Sequence, residues 1–279
     1  MKKSFWQTII HTDFAVPNGH TIAELVPELV SVLGSTDPVW RDEIGYTILV
    51  NWITRDLIPP DDLRGLIAQL SAFLTVGLGE QDTDTVFLRS FSVLILAGII
   101  YHDNRHRAFL TEAEVHDLMN KTLAYFEVEK DLRGYVPDKG WAHSCAHTAD
   151  LIDEFTISRY SQPADLERMM NAIRAKIMAP TGYVYLHNED GRLCVAVMST
   201  LARDVLPVAF WEGWFRGFLE TAARGPAHNI ARDPAAYSAY LNSKHFLRSL
   251  YFWLLVDGLP ASAQALRPRA LATVKVFNR

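Results

Sequence analysis

Between Asp131 and Asp150 the chain packs two histidines, three aspartates, two cations, a tryptophan and a tyrosine into twenty residues. Such crowding of titratable and hydrogen-bonding groups is how a site is written in a sequence. Placed on a helix at about 100° per residue, His143, His147, Asp150 and Glu154 share one narrow stripe. Histidines four residues apart can share one divalent metal ion, with Asp150 as a third ligand. The glutamate of His-Glu-x-x-His is missing, so nothing local marks a metalloprotease. A satisfied hydrogen-bonding face, with His–Asp pairs joining adjacent helices, is the plainer reading and implies no cofactor.

Arg89 is a second anomaly, because its helical stripe contains Val93, Leu96 and Ile100. A guanidinium buried there needs a carboxylate or an anionic ligand, since an unpaired buried charge is strongly destabilising. Asp42, Asp131 and Asp150 are the candidate partners. One reading is a ladder of Asp–Arg pairs tying successive helices together. The other is a concave anion site in which Arg41, Arg89, Arg133, Arg192 and Arg248 meet helix N-termini. Glu189 and Asp190 precede Arg192 and suit a helix start, where capping explains them. Gly134, Pro137 and Gly140 mark a tight connection, with Tyr135 and Trp141 plugging a joint or stacking on a ligand. Cys145 and Cys194 fall on core-facing positions and are expected to be reduced and inert.

These residues are carried by helices, because helical periodicity dominates and convincing alternating strands are absent. Asp37-Pro38 and Asp233-Pro234 place proline at the first helical position behind an aspartate cap. Helices are expected near 21–34, 38–55, 61–76, 84–102, 112–128, 140–158, 163–178, 190–204, 206–223, 234–256 and 260–273. Tyr183 to Leu186 could be extended, and Pro207 and Gly213 should bend or break their helices.

A basic residue recurs in the first turns of apolar helices at Arg41, Arg89, His143, Arg192 and Arg248, with spacings of 48, 54, 49 and 56. Phe87-Leu88-Arg89-Ser90-Phe91 and Phe246-Leu247-Arg248-Ser249-Leu250 share four of five residues. An unequal repeat of this length, two helices each, predicts one elongated all-α domain over 1–279, a HEAT-like or armadillo-like α-α superhelix.

Composition narrows the classes. The 279 residues are 49% hydrophobic and 21% charged, near the soluble average, and can bury a sizeable core. The formal charge of -5 argues against a general nucleic-acid binder. The longest apolar run, Phe91 to Tyr101, is too short for a bilayer span, and the first residues turn polar too soon for a signal peptide. Two cysteines fit a reducing compartment, so a soluble cytoplasmic protein is expected. Four basic residues in the C-terminal segment, Arg267, Arg269, Lys275 and Arg279, form a modest solvated basic end. No nucleophile elbow, phosphate loop or dinucleotide fingerprint is present.

Three motifs then carry a resemblance: Val86-Phe87-Leu88-Arg89-Ser90-Phe91-Ser92; Glu129-Lys130-Asp131-Leu132-Arg133-Gly134-Tyr135; and Gly140-Trp141-Ala142-His143 through Ala146-His147 and Ala149-Asp150. With Glu189-Asp190 and Arg192-Leu193, they make the chain resemble a bacterial family known as domain of unknown function 2785, over residues 20 to 205. The resemblance implies an all-helical protein and brings no activity.

The leading expectation is a binding protein. Its polar groove would be formed by Arg89, Asp131, Arg133, Trp141, His143, His147, Asp150, Glu189 and Arg192, and would hold an anionic small molecule or a peptide segment. One rival is a hydrolase with a metal on His143, His147 and Asp150 and with Glu154 or Glu189 as base. The other is a scaffold whose groove is wholly structural.

Overall fold

The computed structural model describes residues 1–222 and 233–277. Its contacts group into two compact units, Met1–Glu154 and Phe155–Arg279. Among the described residues the chain is helical apart from one short hairpin.

The first unit opens with α1 (Lys3–His11) and α2 (Ile22–Ser31). A capping box starts α2: Thr21 Oγ1 accepts from the Glu24 amide, and the Glu24 carboxylate accepts from the Thr21 amide. A π-helical segment, Val39–Tyr46, runs directly into α3 (Thr47–Thr54), and α4 follows at Pro60–Phe73. The aspartate signal at 37 holds, since Asp37 accepts from the Val39 amide at 2.9 Å. The π geometry leaves no periodicity mark.

α5 (Thr85–Arg105) is the spine of this unit and is buried almost all round, which is why its sequence shows no polar face. Among the described residues it alone is long and apolar enough to cross a membrane, and 78% of that window is packed inside the protein. α6 (Glu112–Val128) begins with a second capping box, Thr111 with Glu114. Two short strands, β1 (Tyr135–Val136) and β2 (Gly140–Trp141), pair antiparallel before α7 (Ser144–Thr156). The helix expected over 140–158 therefore starts four residues late, because its first residues belong to the hairpin.

The second unit contains α8 (Pro163–Met178), α9 (Glu189–Ala202), α10 (Val208–Gly217), α11 (Leu219–Ala222), α12 (Pro234–Trp253), α13 (Ala261–Ala265) and α14 (Arg267–Val276). Its core is aromatic: Trp214 meets Phe215, Phe218 and Phe246 edge to face, and its indole N–H donates to the Met170 carbonyl at 2.8 Å. Asp233 caps α12 by accepting from the Ala236 amide at 2.9 Å. The helix expected at 206–223 starts behind Pro207, tolerates Gly213 and breaks at Phe218; residue 223 lies outside the described residues, as does Arg279. Leu266 divides the one expected at 260–273.

Tyr183 to Leu186 forms no strand. The Asn242 side chain instead takes the part of a strand neighbour, accepting from the Tyr185 amide at 2.8 Å and donating to the Tyr183 carbonyl at 2.9 Å. Both cysteines are buried and outside any disulfide, and burial pushes the Cys194 thiol well up, as expected for core residues.

Candidate functional site

The three motifs of the first unit converge on α5. Arg89 is fully buried, and Glu129 is its partner rather than any of the three aspartates expected. Nε and Nη2 donate to the two Glu129 oxygens at 2.5 and 3.0 Å. Nη1 donates to the Val76 and Gly77 carbonyls and to Thr85 Oγ1 at 2.8, 3.0 and 2.9 Å. Helical phase buries the arginine but cannot choose its partner, because Glu129 lies 40 residues away in a connecting segment. The guanidinium is thus committed inside the protein.

Arg133 and Arg41 follow the same rule. Asp131 is fully buried and receives Arg133 through Nε at 2.8 Å and Nη2 at 2.7 Å. Arg133 Nη2 also donates to the Thr83 carbonyl at 2.7 Å. Arg41 is fully buried; it donates to both oxygens of its neighbour Asp42 and stacks over Phe87 and Phe91 at 4.2 and 4.8 Å. Burial depresses the Arg41 guanidinium and Asp42 opposes the shift, while burial raises the Asp42 carboxyl.

These pairs build a seat for the hairpin. Arg41 Nη2 donates to the Lys139 carbonyl at 2.8 Å, and Lys139 Nζ reaches both oxygens of Asp84 at 2.7 and 2.9 Å. Gly140 has φ +78, and a Cβ there would meet Arg41 Nη2 at 3.0 Å and Pro38 Cβ at 3.1 Å. Only glycine fits both the conformation and the space.

On that seat the side chains form an aromatic path. Tyr135 and Trp141 are exposed and meet edge to face at 5.2 Å. Trp141 stacks on His143 at 4.8 Å with the planes 23° apart. His143 meets His147 edge-on at 5.6 Å, and His147 meets Phe91 edge-on at 5.2 Å.

His143 has φ +55, a left-handed backbone that is costly for a residue with a Cβ and tends to mark functional sites. It precedes α7 rather than lying in it, and its carbonyl accepts the His147 amide at 3.0 Å. The continuous stripe expected of His143, His147, Asp150 and Glu154 is therefore broken at its first member. Glu154 is nearly buried and accepts from Arg105 at 2.5 Å and Asn104 at 3.1 Å. Burial raises its carboxyl, and those two donors pull it back down.

Ser90 and Glu129 were not among the candidates read from the sequence, although both sit inside the motifs that carry the resemblance. Ser90 Oγ donates to the Ala142 carbonyl and shares a hydrogen bond of 2.7 Å with His147 Nδ1. Asp150 is half-buried in α7. Among the described residues no group of three His, Cys, Asp or Glu side chains is placed to hold a metal ion.

Glu189 and Arg192 belong to the second unit. Glu189 is buried at the start of α9, where its carboxylate accepts from the His187 amide at 2.8 Å. Arg192 is exposed on the first turn. Both are described within their own unit.

No curated protein and no solved structure matches the chain. A family model described as "Protein of unknown function (DUF2785)" matches residues 74–252. The match begins later than the resemblance read from the motifs and runs further, through nearly all of α12. It takes in Arg89, Ser90, Glu129, Arg133, Trp141, His143 and His147, and it covers more than half of the sequence, so this chain belongs to the DUF2785 family.

Proposed function

We propose that this is a binding protein whose recognition surface is the Trp141–His143 face, and that its ligand carries an anionic group, as a small molecule or a peptide segment. The observation that carries the reading is Trp141 itself. A tryptophan 41% exposed, stacked on an imidazole in a left-handed conformation, is held on a hairpin anchored by three cation–acceptor contacts. Such rigidity costs backbone strain and leaves a planar surface open to solvent, which suits a preorganised stacking platform. α7 opens beside His143 with no acidic side chain in its first turn, so its positive dipole end favours an anion there. In this reading Arg89, Asp131 and Arg133 build the support and do not touch the ligand. A HEAT-like repeat and a cytoplasmic location remain parts of the proposal, supported by the period of the basic positions and by cysteine usage.

The test is a thermal-shift and tryptophan-fluorescence screen of carboxylates, phosphates and acidic peptides. Hits should raise the melting temperature and perturb Trp141 emission, and Trp141→Ala should abolish both while leaving the protein folded. An unresponsive protein across a broad panel sinks the reading.

One observation favours the rival metal-dependent hydrolase. Ser90 Oγ lies 2.7 Å from His147 Nδ1 and orients the ring so that Nε2 would be the nitrogen offered to a metal. His143 and Asp150 would have to move to complete a set of three ligands. Elemental analysis of untagged protein decides: near-stoichiometric metal lost in His147→Ala would put the hydrolase ahead.

A further inference from the structure

A cleft in the first unit shares no lining residue with the site above. It lies between α2 and α4, has a volume of about 260 Å³, and is walled by Ile22, Val26, Ile58 and Leu66. Asp61 and Asp62, on the first turn of α4, line it, and no lysine, arginine or histidine does. Asp61 is already paired, accepting from Arg64 Nη1 at 3.0 Å while Arg64 Nε donates to Glu114 at 2.7 Å, so Asp62 is the acid that the cleft offers.

Two further features lie on its walls. Pro27 sits inside α2 and has no N–H to give the Ala23 carbonyl, and both residues line the cleft. Gly65 sits in the middle of α4, where glycine weakens a helix, yet a Cβ built there meets nothing within 4 Å. No neighbour requires that glycine. Its effect is to keep the cleft open.

We propose that this cleft binds a small organic cation with an apolar body, an alkyl- or arylalkyl-ammonium. The hydrocarbon would lie on Ile22, Val26, Ile58 and Leu66, and the ammonium would meet Asp62 and the Ala23 carbonyl. Every charge lining the cleft is negative, and the ammonium donors match its acceptors.

The test is a ligand-observed NMR titration of the full chain with three probes of one shape: n-hexylammonium, hexan-1-ol and hexanoate. The amine should bind about fivefold more tightly than the alcohol, the gain of a partly exposed ion pair, and hexanoate should bind weakest. Asp62→Asn should shrink the amine's advantage to about twofold by the same arithmetic. Gly65→Leu fills the cleft at a position with space for it and improves helix propensity, so the variant should fold and lose binding of all three probes. Equal affinity for the three probes, no binding by any, or amine binding that survives Gly65→Leu would each overturn the proposal. Trp141→Ala should leave the titration unchanged, which separates this cleft from the hairpin face.

Discussion

The pentapeptides at 87–91 and 246–250 differ at one position, yet the protein uses them in opposite ways. In α5 the arginine is fully buried and saturated by Glu129 and two carbonyls. In α12 its counterpart, Arg248, is exposed. Ser90 is buried between the Ala142 carbonyl and His147, whereas Ser249 is half-buried and donates to Asp190 at 2.5 Å. The phenylalanines, Phe87 and Phe246, are core in both. An apolar anchor fixes which face of a helix turns inward. Whether the residue two places on is buried depends on how completely neighbours surround the helix, and α5 is enclosed almost all round.

Substitutions that separate the two segments should follow that difference. Arg89→Ala strands the Glu129 carboxylate in the interior and should destabilise by about 3–5 kcal/mol, read from denaturant midpoints. A cost under about 1 kcal/mol would mean the pair is not buried in solution. Ser90→Ala should cost about 1–3 kcal/mol by leaving buried partners unsatisfied. It should also shift the His147 ring nitrogen signals in NMR. Ser249→Ala, at a half-buried bond, should cost about 0.5–1.5 kcal/mol. Arg248→Ala should stay within about 0.5 kcal/mol of the parent.

A pH experiment extends the contrast along α5. His102 is fully buried, with Asp56 3.2 Å from Nε2 and His106 stacked on its ring. Burial lowers its pKa, with Asp56 opposing. The folded state therefore holds the neutral ring while the unfolded chain takes up a proton near about pH 6.5. Stability should be complete above that pH and fall as the pH drops below it, and His102→Phe should flatten the fall. A parent curve already flat between pH 7 and 5 would remove His102 from the account.

Much of the helical frame was legible, for local reasons. Asp37, Asp233 and the proline at 163 mark starts that depend only on nearby backbone amides. α5 is found by its apolar length. The hairpin is missed because two residues per strand are too few to alternate. The left-handed backbone of His143 is set by the amides of Ala142 and His143 donating to the Gly134 and Arg133 carbonyls, which no pattern at the histidine announces. The cluster at 131–150 was legible as a place, and its composition pointed to it. The pairings were not: which carboxylate meets Arg89, and which hydroxyl meets His147, depend on contacts 40 and 57 residues apart.

The bond from Arg41 to the Lys139 carbonyl spans 98 residues. During synthesis the N-terminal helices leave the ribosome long before that carbonyl exists, and Arg41 must wait with its stacking phenylalanines for the hairpin to arrive. Contacts of such separation form late because a long loop must be closed first. The first unit should therefore complete its folding in one late step, when the hairpin docks. A nascent chain halted near residue 130 should be protease-sensitive around the π-helical segment, and one halted beyond α7 should be protected.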